Sequence, residues 1–254
     1  MHDLTGRTVL LTGASKGIGA ATAEALGAAG ANVVAHYGGD RAGAEAATAA
    51  IPAERALLVQ ADLADLAAVR SMWERAVAWR GRVDVLVNNA AVMLDSPLAA
   101  TDAVWDDAWE RSLDVNVKGP AALLRAATRH HLEHGGGVIV TLSSWAAQRG
   151  AGNPDLIAYS GSKAAIKAAT QTIARAHAAD GVLAYVVAPG VVRTQMSEVS
   201  ARRTGGEEAL TASLAMREWV PPSELADLVT YLATGRCRHL TGATLDVNGA
   251  SYVR

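Results

Sequence analysis

Thr8-Val9-Leu10-Leu11-Thr12-Gly13-Ala14-Ser15-Lys16-Gly17-Ile18-Gly19 is the stretch that decides how this chain folds. An apolar run of strand length ends in a turn with three glycines, and a helical pattern, 18–29, follows at once. Gly13 permits the tight turn, Gly17 lets backbone approach a ligand closely, and Gly19 lets the helix pack onto the strand. The amides of Ser15 to Gly19 then face whatever sits at the helix N-terminus, where the partial positive charge favours a pyrophosphate. The spacing is G-x-x-x-G-x-G, not the commoner G-x-G-x-x-G. The turn alone is a weak signal; its position at the first strand-to-helix junction gives it weight.

Further along, apolar runs at 32–36, 56–60, 83–88, 137–142, 183–187 and 244–246 alternate with helical stretches at 66–79, 102–134 and 158–179. The runs are rich in Val, Leu and Ile and do not alternate with polar residues, as in strands covered on both faces. Strand and helix alternation without a linker or repeat predicts one α/β domain, a doubly wound parallel sheet of the Rossmann fold. Residues 195–220 break the rhythm. They read either as a lid over the C-terminal ends of the strands, where such sheets bind ligands, or as a surface insertion.

The formal charge of −2 gives no reason to expect nucleic acid or an acidic membrane as partner. No stretch has the length of a membrane span, and the N-terminus lacks the apolar core of a signal peptide. Cys237 is the only cysteine, which excludes an internal disulfide and fits a reducing compartment. A cytoplasmic protein is expected.

At the end of the second strand, enzymes that bind the cofactor without a 2′-phosphate carry an acid for the ribose hydroxyls. Tyr37 stands there, followed by Gly38 and Gly39. Lys16 and Arg41 can pair with a phosphate, although Arg41 reads equally as a solvated loop charge. NADP(H) is therefore preferred and NAD(H) remains possible, with Asp40 as the contrary residue.

Tyr159 and Lys163 sit four apart at the start of a helix, on one face. A free phenol titrates near ~10, and a neighbouring ammonium lowers that value. Tyr159 is then a candidate acid/base for a carbonyl or alcohol. Ser144, at a strand end, can hydrogen-bond the same substrate oxygen. Trp145 reads as pocket wall or as core. His130, His131 and His134 lie at a helix end, where solvation or the helix dipole accounts for them better than a metal does; no metal site is expected.

Taken together, these residues resemble the classical short-chain dehydrogenase/reductase family, in particular its 3-oxoacyl-ACP-reductase-like members. The resemblance spans Thr12–Gly19, Asp62-Leu63, Asn88-Asn89-Ala90-Ala91, Asn116, Ser144, Tyr159 with Lys163, Pro189-Gly190 with Thr194, and the closing 240–249. It implies that Asp62 and Leu63 lie by the adenine and that Asn89 and Ala90 line the ribose. Asn116 would hold a relay water, and Lys163 would bind ribose hydroxyls and lower the pKa of Tyr159. Val192 and Thr194, beside Pro189-Gly190, would hold the carboxamide. A homotetramer or homodimer through the helices at 102–134 and 158–179 is implied as well. Three departures stand out: Ala91 where the family has Gly, the longer stretch 150–157 before Tyr159, and Asn-Gly-Ala250 at the close. The function expected is interconversion of a ketone and a secondary alcohol by hydride transfer. A dinucleotide-binding redox sensor, and an epimerase or dehydratase, are the alternatives.

Overall fold

The computed structural model describes residues 2–203 and 205–254. Seven parallel strands form one sheet in the order β3-β2-β1-β4-β5-β6-β7. They are β1 (Thr8–Leu11), β2 (Asn32–Tyr37), β3 (Ala56–Gln60), β4 (Val85–Asn88), β5 (Gly137–Leu142), β6 (Val182–Pro189) and β7 (Thr244–Val247). Each lies within two residues of the run expected from sequence, because a doubly covered strand advertises itself as a continuous apolar stretch.

Side-chain alternation along each strand splits the core in two. Val9, Leu11, Val33 and Ala35 point to the face covered by α1 (Gly17–Ala28), α2 (Arg41–Thr48) and α10 (Pro222–Ala233). Leu10, Val34, Leu86 and Ile139 point to the face covered by α3 (Leu66–Arg80), α5 (Gly119–Glu133) and α7 (Ile157–His177). Strand order reverses between β1 and β4, so their C-terminal ends part around a crevice, the general ligand position of open α/β sheets.

The helix expected over 102–134 is not continuous. α4 (Asp102–Leu113) passes into a π-helical turn, Asp114–Lys118, before α5 begins. Pro120 has no N–H for the carbonyl of Asn116, the bond that an unbroken α-helix would need. The ladder slips by one residue instead, with the amide of Gly119 donating to Asp114. Gly119 is required there, since a Cβ would fall 2.3 Å from the carbonyl oxygen of Leu63.

Of the three histidines at the end of α5, His134 is exposed as expected, but His130 and His131 are buried. The amide of Val83 donates to His130 Nε2 (3.2 Å), and its carbonyl accepts from His131 Nε2 (3.1 Å). Two adjacent imidazoles thus clamp both backbone groups of the residue that leads into β4. His134 stacks on His130 with ring centroids 4.0 Å apart. Among the described residues, no group of three His, Cys, Asp or Glu side chains is arranged to hold a metal ion. No described helix is long and apolar enough to cross a membrane.

Candidate active site

The glycine turn is held from three sides. Gly13 and Gly17 have φ of +72° and +57°, the left-handed region open to glycine. The amide of Gly13 donates to His36 Nδ1 at 3.0 Å, while His36 Nε2 bonds the carbonyl of Ala61 at 3.0 Å. This geometry fixes the tautomer: Nε2 carries the proton and Nδ1 is the acceptor. Burial lowers the His36 pKa and keeps the ring neutral. On the other side, Thr12 Oγ1 accepts from the amides of Asn89 (2.9 Å) and Ala90 (3.1 Å), and Asn89 Nδ2 donates to the carbonyl of Thr12 at 2.8 Å. A Cβ on Gly19 would lie 1.9 Å from the carbonyl oxygen of Gly13, so the first turn of α1 rests directly on backbone.

The amides of Gly17, Ile18 and Gly19 have no acceptor among the described residues, and all three residues line one cleft. Unpaired amides at a helix N-terminus, in a cradle too tight for a Cβ, fit the pyrophosphate of a dinucleotide.

β5 delivers Ser143 and Ser144 to the other end of that cleft, opposite the first turns of α7. Lys163 is buried, and its Nζ donates to the carbonyl of Leu142 at 2.7 Å. Burial pulls its pKa down to about 8. Ser143 Oγ donates to the backbone carbonyl of Lys163 at 2.9 Å, locking α7 to the strand end. Tyr159 lines the cleft one turn earlier. In the protein alone its pKa is not lowered, as the pairing with Lys163 led us to expect. Burial raises it, and only the hydrogen bond with Ser144 works in the opposite direction. Desolvation of the phenol is the larger effect.

Asn116 is buried in the π-helical turn. Its Oδ1 accepts from the amide of Val92 (2.8 Å), and its Nδ2 donates to the carbonyl of Val92 (2.9 Å) and to Ser162 Oγ (3.0 Å). The side chain therefore ties the segment after β4 to α7.

The cleft has a volume of about 480 Å³ and brings together most of the expected residues: the glycine turn with Ser15 and Lys16, Asn89, Ala90, Ser144, Tyr159, Lys163, Pro189, Gly190, Val192 and Thr194. Five others stand outside its walls: Asn116, in the π-helical turn, and Tyr37, Arg41, Asp62 and Leu63. Tyr37 is buried, and Arg41, the first residue of α2, pairs with Glu45 at 2.8 Å. Asp62 faces Arg111 at 3.3 Å, and Leu63 is packed in the core against Gly119. Asp40 does reach the cleft; its Oδ1 caps α2 by accepting from the amide of Gly43 at 2.9 Å. Sequence reading missed His36, Leu142 and Ser143, whereas Gln195, Met196 and Ser197 belong to the segment expected as a lid. His36 looked like one more strand residue, and only the fold sets its ring against Gly13. Ala91 also lines the cleft, and its backbone needs no left-handed φ, so its methyl is accommodated.

Residues 195–220 leave and rejoin the sheet edge at one point, where Val192 bridges to Val220. Between these ends lie α8 (Gln195–Arg203) and α9 (Glu207–Ser213). They share a small core of Ala201, Leu214 and Trp219, against which Trp145 packs. Trp145 is thus a support for this segment, with Arg149 stacked on its ring at 4.3 Å. Arg203, at the end of α8, pairs with Asp95 on the segment between β4 and α4.

A parallel sheet with a switch-point cleft, a pyrophosphate cradle, and hydroxyls and a lysine at its far end define a dinucleotide-binding oxidoreductase. Residues 13–250 match the family model described as Enoyl-(Acyl carrier protein) reductase. The 3beta-hydroxysteroid dehydrogenase 1 of Eggerthella lenta is 36% identical over 97% of this chain and 94% of its own. A short chain dehydrogenase from Burkholderia cenocepacia, solved in complex with NADP, superposes with a TM-score of 0.87 at 32% identity, covering 98% of this chain and 99% of that one. The 3-ketoacyl-(acyl-carrier-protein) reductase from Brucella melitensis, complexed with NADH, gives 0.86 at 28% identity over 99% and 100%. The chain belongs to the classical short-chain dehydrogenase/reductase family and is an oxidoreductase of CH–OH groups.

Proposed function

We propose that this protein is an NADP(H)-dependent oxidoreductase that interconverts a ketone and a secondary alcohol, with Tyr159 as acid and base. One observation carries the reading: Ser144, Tyr159 and Lys163 line the same cleft as the unpaired amides of the glycine turn. When bound, the nicotinamide supplies hydride to the carbonyl carbon or removes it from the alcohol. Ser144 donates a hydrogen bond to the substrate oxygen and stabilises the charge that develops there. Tyr159, held protonated by burial, gives its proton to that oxygen in reduction and takes it back in oxidation. Lys163, anchored on Leu142, presents its ammonium to the ribose side of the cleft. Asn89 and Ala90 line that side, and Pro189, Gly190, Val192 and Thr194 form the wall for the carboxamide. Asn116 holds the wall to α7 through Ser162. Residues 195–220 act as the lid, since Gln195, Met196 and Ser197 already face the cleft.

Lys16 supports the phosphorylated cofactor. It is an exposed cleft residue without an ion pair among the described residues, and no carboxylate occupies the position of Tyr37. The Asp40 carboxylate is turned to its helix cap. NAD(H) remains the second cofactor. The same helices, 102–134 and 158–179, are proposed to join copies into a homodimer or homotetramer.

The test is loss of reduced-cofactor absorbance with a panel of ketones. Tyr159→Phe should lower turnover by at least about 100-fold with cofactor binding retained. Full turnover in that variant rejects the acid/base role. Tight cofactor binding with no turnover by the unmodified protein supports the redox sensor instead. Lys16→Ala should weaken NADPH binding about tenfold more than NADH binding, as expected for loss of one charge-assisted phosphate contact; equal effects reject the preference.

A further inference from the structure

The helix that carries Tyr159 is capped from a distance. A helix leaves its first four amides unpaired, and the residue before α7, Leu156, provides no side-chain bond. Ser96, on the segment after β4, provides it. Its Oγ accepts from the amide of Ala158 at 3.1 Å and donates to the carbonyl of Asp155 at 3.1 Å, and its own amide donates to the same carbonyl at 2.6 Å. Ser96 is fully buried. A group there must accept on one side and donate on the other, which a hydroxyl does and an apolar side chain of that size does not.

Ala158 directly precedes Tyr159. The first turn of a helix is the part that frays, and the position of the phenol depends on it. One turn later, Lys163 is held independently by Leu142 and Ser143. Within the helix Ser160 Oγ donates to the carbonyl of Leu156 (2.8 Å) and Ser162 Oγ to that of Tyr159 (2.7 Å), but among the described residues Ser96 makes the one side-chain bond from another segment to an amide of the first turn. We infer that Ser96 is a positioning residue: its hydroxyl fixes the first turn of α7, and with it Tyr159 against Ser144. This rests on the acid/base reading of Tyr159. The same bonds pin Asp155, so the extra stretch 150–157 is held to the segment between β4 and α4.

The experiment pairs Ser96→Ala with Ser96→Cys, which keeps the volume but offers a poor acceptor and so serves where the smaller side chain does not fold. In each variant kcat should fall about tenfold, corresponding to about 1.4 kcal/mol. KM and the cofactor Kd should stay within about twofold, since no contact to the bound molecules is removed. Amide exchange at Ala158 and Tyr159 should accelerate about tenfold, while exchange at the middle of α7 stays unchanged. Unchanged kcat, or a raised KM alone, overturns the inference; so does unchanged exchange at those two amides. If the unmodified protein turns over no ketone, the functional reading falls, and the exchange measurement still decides whether Ser96 orders the first turn.

Discussion

The amide of Gly13 donates to Nδ1 of His36 at 3.0 Å, so a buried neutral imidazole on β2 holds the turn that faces the cofactor cleft. Protonation would place a second donor against that amide. Because burial depresses the folded pKa of His36 below the usual value near ~6.5, the ring stays neutral and the contact intact through that value, and both are lost only as pH falls through the lower folded pKa. Cofactor affinity should therefore decline toward acid pH. His36→Phe, which removes the acceptor, should weaken binding about tenfold at pH 7.5, the cost of one unsatisfied buried amide. Titration of reduced-cofactor fluorescence measures both. An affinity equal to that of the unmodified protein rejects the link.

His131 makes stability itself pH-dependent. Burial lowers its pKa from 6.5 to about 4 in the folded protein. The unfolded chain binds the extra proton between those values, so stability rises with pH across that window. From pH 7.5 to pH 5 the loss should be about 2 kcal/mol from this residue alone. Urea unfolding at the two pH values, repeated in His131→Phe, isolates it: the variant should lose less on acidification.

Ala250 has φ of +58°, in the left-handed region that a side chain resists. Ala250→Gly should stabilise the protein by about 1 kcal/mol, seen as a rise in Tm of about 2–4 °C for a chain of this size. A lower Tm would mean that the methyl group makes a packing contribution larger than the strain.

Arg203 and Asp95 join α8 to the segment between β4 and α4 through an ion pair on the surface. Their side chains are 62% and 37% exposed, so the pair adds little to global stability. Asp95→Asn should leave Tm unchanged within about 1 °C. It should speed tryptic cleavage at Arg202 and Arg203, because the segment 195–220 loses its tether while its base at Val192 and Val220 stays paired. Unaltered cleavage would show that the small core around Trp219 holds the segment alone.

Much of this was written in local pattern. The seven strands, α1, α3 and α7 and the glycine turn follow from apolar runs and turn chemistry, which are properties of neighbouring residues. The pairing of Tyr159 with Lys163 on one face follows from the helical repeat. Pro120 also carried the interruption of the long helix, and reading 102–134 as continuous overlooked a missing N–H.

The rest depends on residues distant in sequence. His36 meets Gly13, Ser96 meets Ala158, and His130 and His131 meet Val83 only because the sheet order brings these segments together. The direction of the Tyr159 pKa shift reversed for the same reason: the spacing placed an ammonium on its face, but the fold buried the phenol, and desolvation outweighs the rest. Sequence by itself determined the elements, the parallel α/β class and the chemical groups available, because periodicity and turn preference act over a few residues. Tertiary structure alone decided which of those groups face one cleft, which are already satisfied by backbone and which are desolvated, because hydrogen bonding and burial depend on neighbours in space.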